Sequence, residues 1–295
     1  MITNRRGQVI VRSDRTLHRY VITSNLGSGG FGEVFRARII DLNLQVALKR
    51  FRWRSGSTEQ MVANWYNEYT THEALSHPNV LQSYDAFHDD GYLYIATELA
   101  TNSLNHYIDK WIELVPPWDD VGVARAGMHI ASALHYLHAG WRDGQVLIHR
   151  DVTPNNIFYF EDKNIFKLGD FGISKLVDEL GGPAVTQVAN WGFVAPELVR
   201  EGFSVPQSDL FQLGLVLYSM AAGQYVVPKE ASIAEKKALI ASGAAWDAAN
   251  GLEDIDQELK SCIKKLLLRH RGKRYASAAE VHAAMTKIYW RLRAP

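Results

Sequence analysis

Leu147-Ile148-His149-Arg150-Asp151-Val152-Thr153-Pro154-Asn155-Asn156-Ile157-Phe158 is followed shortly by Lys167-Leu168-Gly169-Asp170-Phe171-Gly172. Each stretch reads as an apolar strand that delivers polar groups into a tight turn. Asp151 and Asn156 stand five residues apart, far enough to flank one small site, and Asp170 arrives on the next strand. Two carboxylates and a carboxamide supply hard oxygen ligands suited to Mg²⁺ and leave one carboxylate over as a base.

Upstream, residues 19 to 51 read as three strands. Tyr20 to Leu26 leads into Gly27-Ser28-Gly29-Gly30-Phe31-Gly32, and Glu33 to Ile40 leads out. Glu33-Val34-Phe35-Arg36-Ala37 alternates with the period of a strand, so the glycines lie between two strands rather than ahead of a helix. Without Cβ atoms, Gly27, Gly29 and Gly32 let backbone N–H groups approach a phosphate closely. The third strand, Val46-Ala47-Leu48-Lys49, points Ala47 and Lys49 to one face. A small Ala there leaves room for a flat ring, and Lys49 reaches on toward phosphates. Met61, Trp65, Glu68, His72 and Leu75 recur at 4, 3, 4 and 3, so they share one helical face. A glutamate on that stripe calls for a cationic partner, and Lys49 is the candidate. Glu73 competes but lies off the stripe. His77-Pro78-Asn79 ends the helix, and strands are expected near Val80 to His88 and Tyr92 to Thr97.

Beyond residue 100 the periodicity turns helical. Asp119 to His138 carries Val123, Met128, Ala131, Leu134 and Leu137 on a broad face, and Ser208 to Ala222 is apolar nearly all round, as in a buried central helix. Lys plus Arg and Asp plus Glu are 32 each, so there is no net charge. That balance argues against nucleic acid or an anionic membrane as the main partner. Cys262 is the single cysteine, so no internal disulfide forms. The longest apolar segment, Leu213 to Ala222, is too short to span a bilayer, and Met1 to Arg6 lacks the apolar run of a signal peptide. No membrane insertion and a cytoplasmic location are the expectation.

The ordered motifs resemble those of the eukaryotic-type protein kinases, serine/threonine branch: GxGxxG at Gly27–Gly32, VAIK at Val46–Lys49, HRDxxxxN at His149–Asn156, DFG at Asp170–Gly172 and APE at Ala195–Glu197. The resemblance runs from residue 26 to residue 274. It implies an α+β fold of two lobes: a five-stranded antiparallel sheet with one helix over 19–99, and a larger, mostly helical lobe over 100–295. Residues 1–18 precede them as a mobile arm or an extra strand.

The same resemblance implies ATP and Mg²⁺ as cofactors and a protein as substrate. Asp151 would orient the acceptor hydroxyl, Lys49 hold the phosphates and Glu68 hold Lys49, while Asn156 and Asp170 bind the metal. The nucleotide pocket would draw on Leu26, Gly27, Ser28, Gly29, Gly30, Phe31, Gly32, Val34, Ala47, Thr97, Glu98, Ala100 and Phe158. Glu98 to Ala100 would form the hinge. Asp209 would bind the catalytic-loop backbone or cap its helix. Arg274 would pair with Glu197. Thr186 would be an activating phosphosite received by Arg150 and Lys175.

Some positions depart from the family. Thr153 stands where serine/threonine kinases carry a lysine, and Asn190 where they carry a threonine. Phe158 is larger than the usual pocket floor. His72 and Ser83 put polar groups on the apolar spine between lobes. An ATP-binding pseudokinase and a small-molecule kinase are the alternatives.

Overall fold

The computed structural model describes residues 2–3, 9–29, 32–52, 69, 73–114, 118–140, 146–170 and 191–294, with the backbone alone at 2–3, 52 and 111–114. The chain divides into two compact units. One comprises the described residues of Met1–Ala100 together with Asp170, and the other the described residues of Thr101–Gly169 and from 191 onward.

The first unit is built on one antiparallel sheet of β1 (Ile2–Thr3), β2 (Val9–Arg12), β3 (Arg19–Gly29), β4 (Gly32–Ile39), β5 (Leu44–Arg52), β6 (Ser83–Asp89) and β7 (Tyr92–Glu98). Its order is β1-β2-β3-β4-β5-β7-β6, seven strands rather than the expected five. The two extra strands come from the N-terminal residues: Val11 pairs with Tyr20 and is buried in the sheet's core. Strand period explains the burial. Phe35, Ala37 and Ile39 of β4 point inward while Arg36 and Arg38 point to solvent, and Val46 and Leu48 of β5 face the same core. Tyr20, Phe87 and Tyr94 stack in it with successive centroids 4.9 Å apart. The β6–β7 turn is Asp90-Gly91, both at positive φ (48° and 75°), the pairing that a two-residue hairpin favours.

Residues 13–16 tie this unit together further. Thr16 and Tyr20 donate to the buried Asp85 carboxylate at 2.6 and 2.8 Å, and Arg15 pairs with Glu73 at 2.5 Å. The helical stripe expected from Met61 to His72 lies outside the described residues, whereas Leu75 is buried.

The second unit begins with β8 (Asn102–Ser103), α1 (Leu104–Leu114) and α2 (Asp120–His138). Asp119 caps α2 by accepting from Gly122 N at 2.8 Å. Next come β9 (Ile157–Phe160) and β10 (Ile165–Leu168), which join β8 in a three-stranded antiparallel sheet of order β10-β9-β8. The remaining helices are α3 (Pro196–Glu201), α4 (Pro206–Ala222), α5 (Ile233–Ser242), α6 (Ala244–Asn250), α7 (Gln257–Leu266) and α8 (Ala278–Arg293). Every residue from Ser208 to Met220 is buried, as the all-round apolar pattern of α4 requires. Two glycines leave no room for a Cβ where helices pack. A Cβ at Gly214 of α4 would sit 2.8 Å from Leu266 Cβ, and one at Gly127 of α2 would sit 2.9 Å from Met285 Sδ of α8. The single cysteine, Cys262, is buried on α7, and burial pushes its thiol up to about 11, so it stays protonated.

Candidate active site

In the first unit the glycine turn joins β3 to β4, with Gly29 paired to Gly32; Gly30 and Phe31 lie outside the described residues. Two of its glycines do different work. Gly32 has φ +128° and a Cβ there would strike Arg50 O at 2.2 Å, so the sheet itself demands glycine. At Gly27 a Cβ would meet nothing within 4 Å, and Leu26, Gly27 and Ser28 are exposed, which leaves open space beside the backbone that a phosphate group could take.

Register then places side chains on the sheet face opposite the core. Val34 pairs with Lys49, and Ala47 pairs with Thr97, so Val34, Ala47, Lys49 and Thr97 share that face. Thr97 donates to Glu98 O at 3.3 Å, and the Glu98 side chain accepts from Gln82 N at 2.8 Å. Lys49 Nζ lies 2.8 Å from Asp170 Oδ2. Asp170 has φ +58°, a left-handed conformation that a non-glycine residue rarely adopts. Glu68, the expected partner of Lys49, lies outside the described residues, and the competing Glu73 is held by Arg15.

In the second unit the loop from His149 to Asn156 is fixed almost atom by atom. Asn156 Nδ2 donates to Asp151 O at 2.9 Å and to Asp151 Oδ2 at 2.7 Å. That leaves the Asn156 carboxamide oxygen available as a ligand. His149 Nδ1 accepts from Asp151 N at 3.3 Å, and its Nε2 faces Gly169 O at 3.0 Å. A carbonyl can only accept, so the network assigns the proton to Nε2. Arg150 sits at φ +69°, which turns the chain sharply just before Asp151.

Helix α4 holds that turn from below. Asp209 Oδ2 accepts from His149 N at 2.9 Å and Oδ1 from Arg150 N at 2.8 Å, and His138 Nε2 adds a third contact at 2.8 Å. Asp209 therefore binds the loop rather than capping α4, whose N-cap residue is Val205. One turn further, Gln212 Nε2 donates to Arg150 O and Gln212 Oε1 accepts from Val152 N, both at 3.0 Å. Neither Gln212 nor His138 was singled out from sequence. A polar side chain three residues after Asp209 on an otherwise apolar buried helix was the available signal, since such a group needs partners.

Further along, Arg274 binds Glu197 through two parallel bonds of 2.8 Å, and Ser208 donates to Glu197 Oε1 at 2.6 Å. Burial alone would raise the Glu197 carboxyl, but the Arg274 bonds and charge outweigh it and hold it below its ordinary value. Thr153 is buried, Ser83 and Phe158 are half-buried, and Ala100 is half-buried at the end of the first unit. Thr186, Lys175, Asn190, His72, Phe171 and Gly172 lie outside the described residues.

Among the described residues no three His, Cys, Asp or Glu side chains gather as a metal cage. Mg²⁺ is commonly held by one or two carboxylates with phosphate and water completing its shell, and the Asp170 carboxylate of the first unit and the Asn156 carboxamide oxygen of the second are each donors of the hard oxygen type it takes.

Residues 20–286 match the protein kinase domain family. The chain belongs to the protein kinase family. It is similar to L-type lectin-domain containing receptor kinase V.5 of Arabidopsis thaliana, 29% identical over 89% of this chain and 40% of that protein. It is also similar to receptor kinases of the same lectin-domain type from that plant named IX.2 and IV.3. They are 33% and 32% identical, over 70% and 80% of this chain and 30% and 34% of their own lengths. The chain thus spans less than half the length of these curated relatives.

Proposed function

We propose that this protein kinase transfers the γ-phosphoryl group of ATP to serine or threonine hydroxyls of proteins, with Mg²⁺ as cofactor. The observation that carries the reading is the Asp151–Asn156 pair, held on a loop whose backbone is bonded to Asp209 and Gln212. A group that must orient a hydroxyl is useful only if it is itself held still.

Asp151 would accept a hydrogen bond from the acceptor hydroxyl and take its proton as the hydroxyl attacks. Lys49 would neutralise phosphate charge, with Glu68 as its partner. The backbone N–H groups of Gly27, Gly29 and Gly32, with Ser28, Gly30 and Phe31, would cover the phosphates. Leu26, Val34, Ala47, Thr97, Glu98, Ala100 and Phe158 would line the base and sugar. Asp170 and the Asn156 carboxamide oxygen would hold Mg²⁺, which when bound supplies charge neutralisation at the phosphates. Thr153 brings no cation to the developing charge, so turnover should be slower than in kinases with lysine there. Thr186, received by Arg150 and Lys175, is proposed as the regulatory phosphosite. In this reading residues 19–99 and 100–295 act as the two kinase lobes, after an N-terminal segment of 18 residues.

Serine/threonine preference rests on Pro154 after Thr153 and on the Gly192–Glu197 run. Phosphoamino-acid analysis of a generic protein substrate incubated with the chain and Mg·ATP tests it. Phosphoserine and phosphothreonine are expected. Phosphotyrosine alone would overturn the acceptor assignment, and nucleotide binding without any transfer would favour the pseudokinase alternative.

A further inference from the structure

Within the second unit, a cleft of about 230 Å³ opens beside the catalytic loop, lined by Pro154 and Asn155 of that loop. The buried Phe193 and Val227 contribute apolar surface to it, and among the described residues its charged lining residues are Lys229 and Lys236. Their environments differ. Lys229 is already neutralised, with Nζ 2.5 Å from Asp109 Oδ1 and 4.9 Å from the Tyr225 ring centroid. Half-buried Lys236 donates to the backbone carbonyl of Lys229 at 2.6 Å, and no carboxylate pairs with it among the described residues. An ammonium carries three donors. Among the described residues one is used and two remain, together with the ammonium charge in a partly enclosed cleft where screening by solvent is reduced. Glu230 and Glu235 are the other nearby acids along the chain. Both are exposed, and Glu235 is occupied in capping α5 through Ser232.

We propose that this cleft selects acceptor peptides bearing an aspartate or glutamate close to the phosphorylated hydroxyl, with Lys236 as the residue that reads the carboxylate. Pro154 and Asn155 lie on the chain between Asp151 and Asn156, so a segment seated in the cleft runs beside the loop that carries both. The apolar lining takes the peptide's aliphatic surface, and the Lys236 ammonium takes its acid. The assignment deepens the protein-kinase reading and rests on it for the identity of the ligand.

The test uses the full 295-residue chain and a set of otherwise identical serine peptides, with aspartate, alanine or lysine at each position flanking the serine. Two readouts are taken on each: phosphate transfer from Mg·ATP, and binding by fluorescence anisotropy without nucleotide. At one or more positions aspartate is expected to bind roughly three- to tenfold more tightly than alanine, with lysine weakest and the gap shrinking as salt is added. Lys236→Glu should invert the order at that position, and Lys236→Gln, which keeps the length of the side chain, should abolish it. Equal binding of aspartate, alanine and lysine peptides, or a preference that survives both substitutions, would overturn the inference while leaving the kinase reading intact. Charge-selective binding without transfer to any peptide would sustain the cleft's assignment and count against the kinase reading instead.

Discussion

Asp151 and Asn156, five residues apart, meet side chain to side chain at 2.7 Å, and Asp170 at the end of the next strand lies 2.8 Å from Lys49 Nζ. A five-residue interval and a strand-to-turn switch can be read without knowing what is packed beneath. His129 was not legible in that way. It sits on α2 with its Nδ1 accepting from Phe166 N at 3.2 Å. Burial, and then the charges of Arg125 and His282, push its imidazole down to about 4. The folded chain therefore prefers the neutral ring more strongly than the unfolded chain does. The resulting stability is fully present above the ordinary histidine value near 6.5 and is lost as pH falls from there toward 4. His282, lowered by burial and by His135, contributes in the same direction. Melting temperature measured from pH 7 to pH 4 should fall, with about 2–3 kcal/mol attributable to His129. His129→Gln should flatten that slope, and an unchanged slope in this variant would remove His129 from the account.

At the scale of elements, α4 supplies the side chains, Asp209 and Gln212, that bind the backbone from His149 to Val152. Its apolar pattern marks a central helix, but the chain gives no local cue that Gln212 meets Arg150 and Val152 some 60 residues upstream. The two extra strands were obscured for a related reason. Ile2–Thr3 spans only two residues, and Val9–Arg12 carries too short an alternation to separate a strand from an arm. Gln212→Leu removes both hydrogen bonds while preserving approximate volume. It leaves the Arg150 carbonyl and the Val152 N–H without those partners, a loss of about 1–3 kcal/mol. If the clamp positions Asp151, kcat should fall about tenfold or more, while KM for ATP changes little. A lower melting temperature with an unchanged kcat would reduce the clamp to a structural role.

For the molecule as a whole, the family match over residues 20–286 agrees with motifs spread along nearly the entire chain. A short sequence window could not supply that coherence, since a glycine turn or an Asp-Phe-Gly triplet alone is common. The relatives are named as receptor kinases, and no described helix of this chain is long and apolar enough to cross a membrane. The residues that match the protein kinase domain family include Lys49, whose Nζ meets Asp170 Oδ2 at 2.8 Å, and Asn156, which meets Asp151. The most direct measurement of the central claim is phosphate incorporation from Mg·ATP, by intact-protein and peptide mass spectrometry, for the native chain and Asp170→Asn at matched melting temperature. Transfer by the native chain and a loss of about a hundredfold or more in the variant is the expected result. Equal transfer by both proteins, with folding intact, would contradict it.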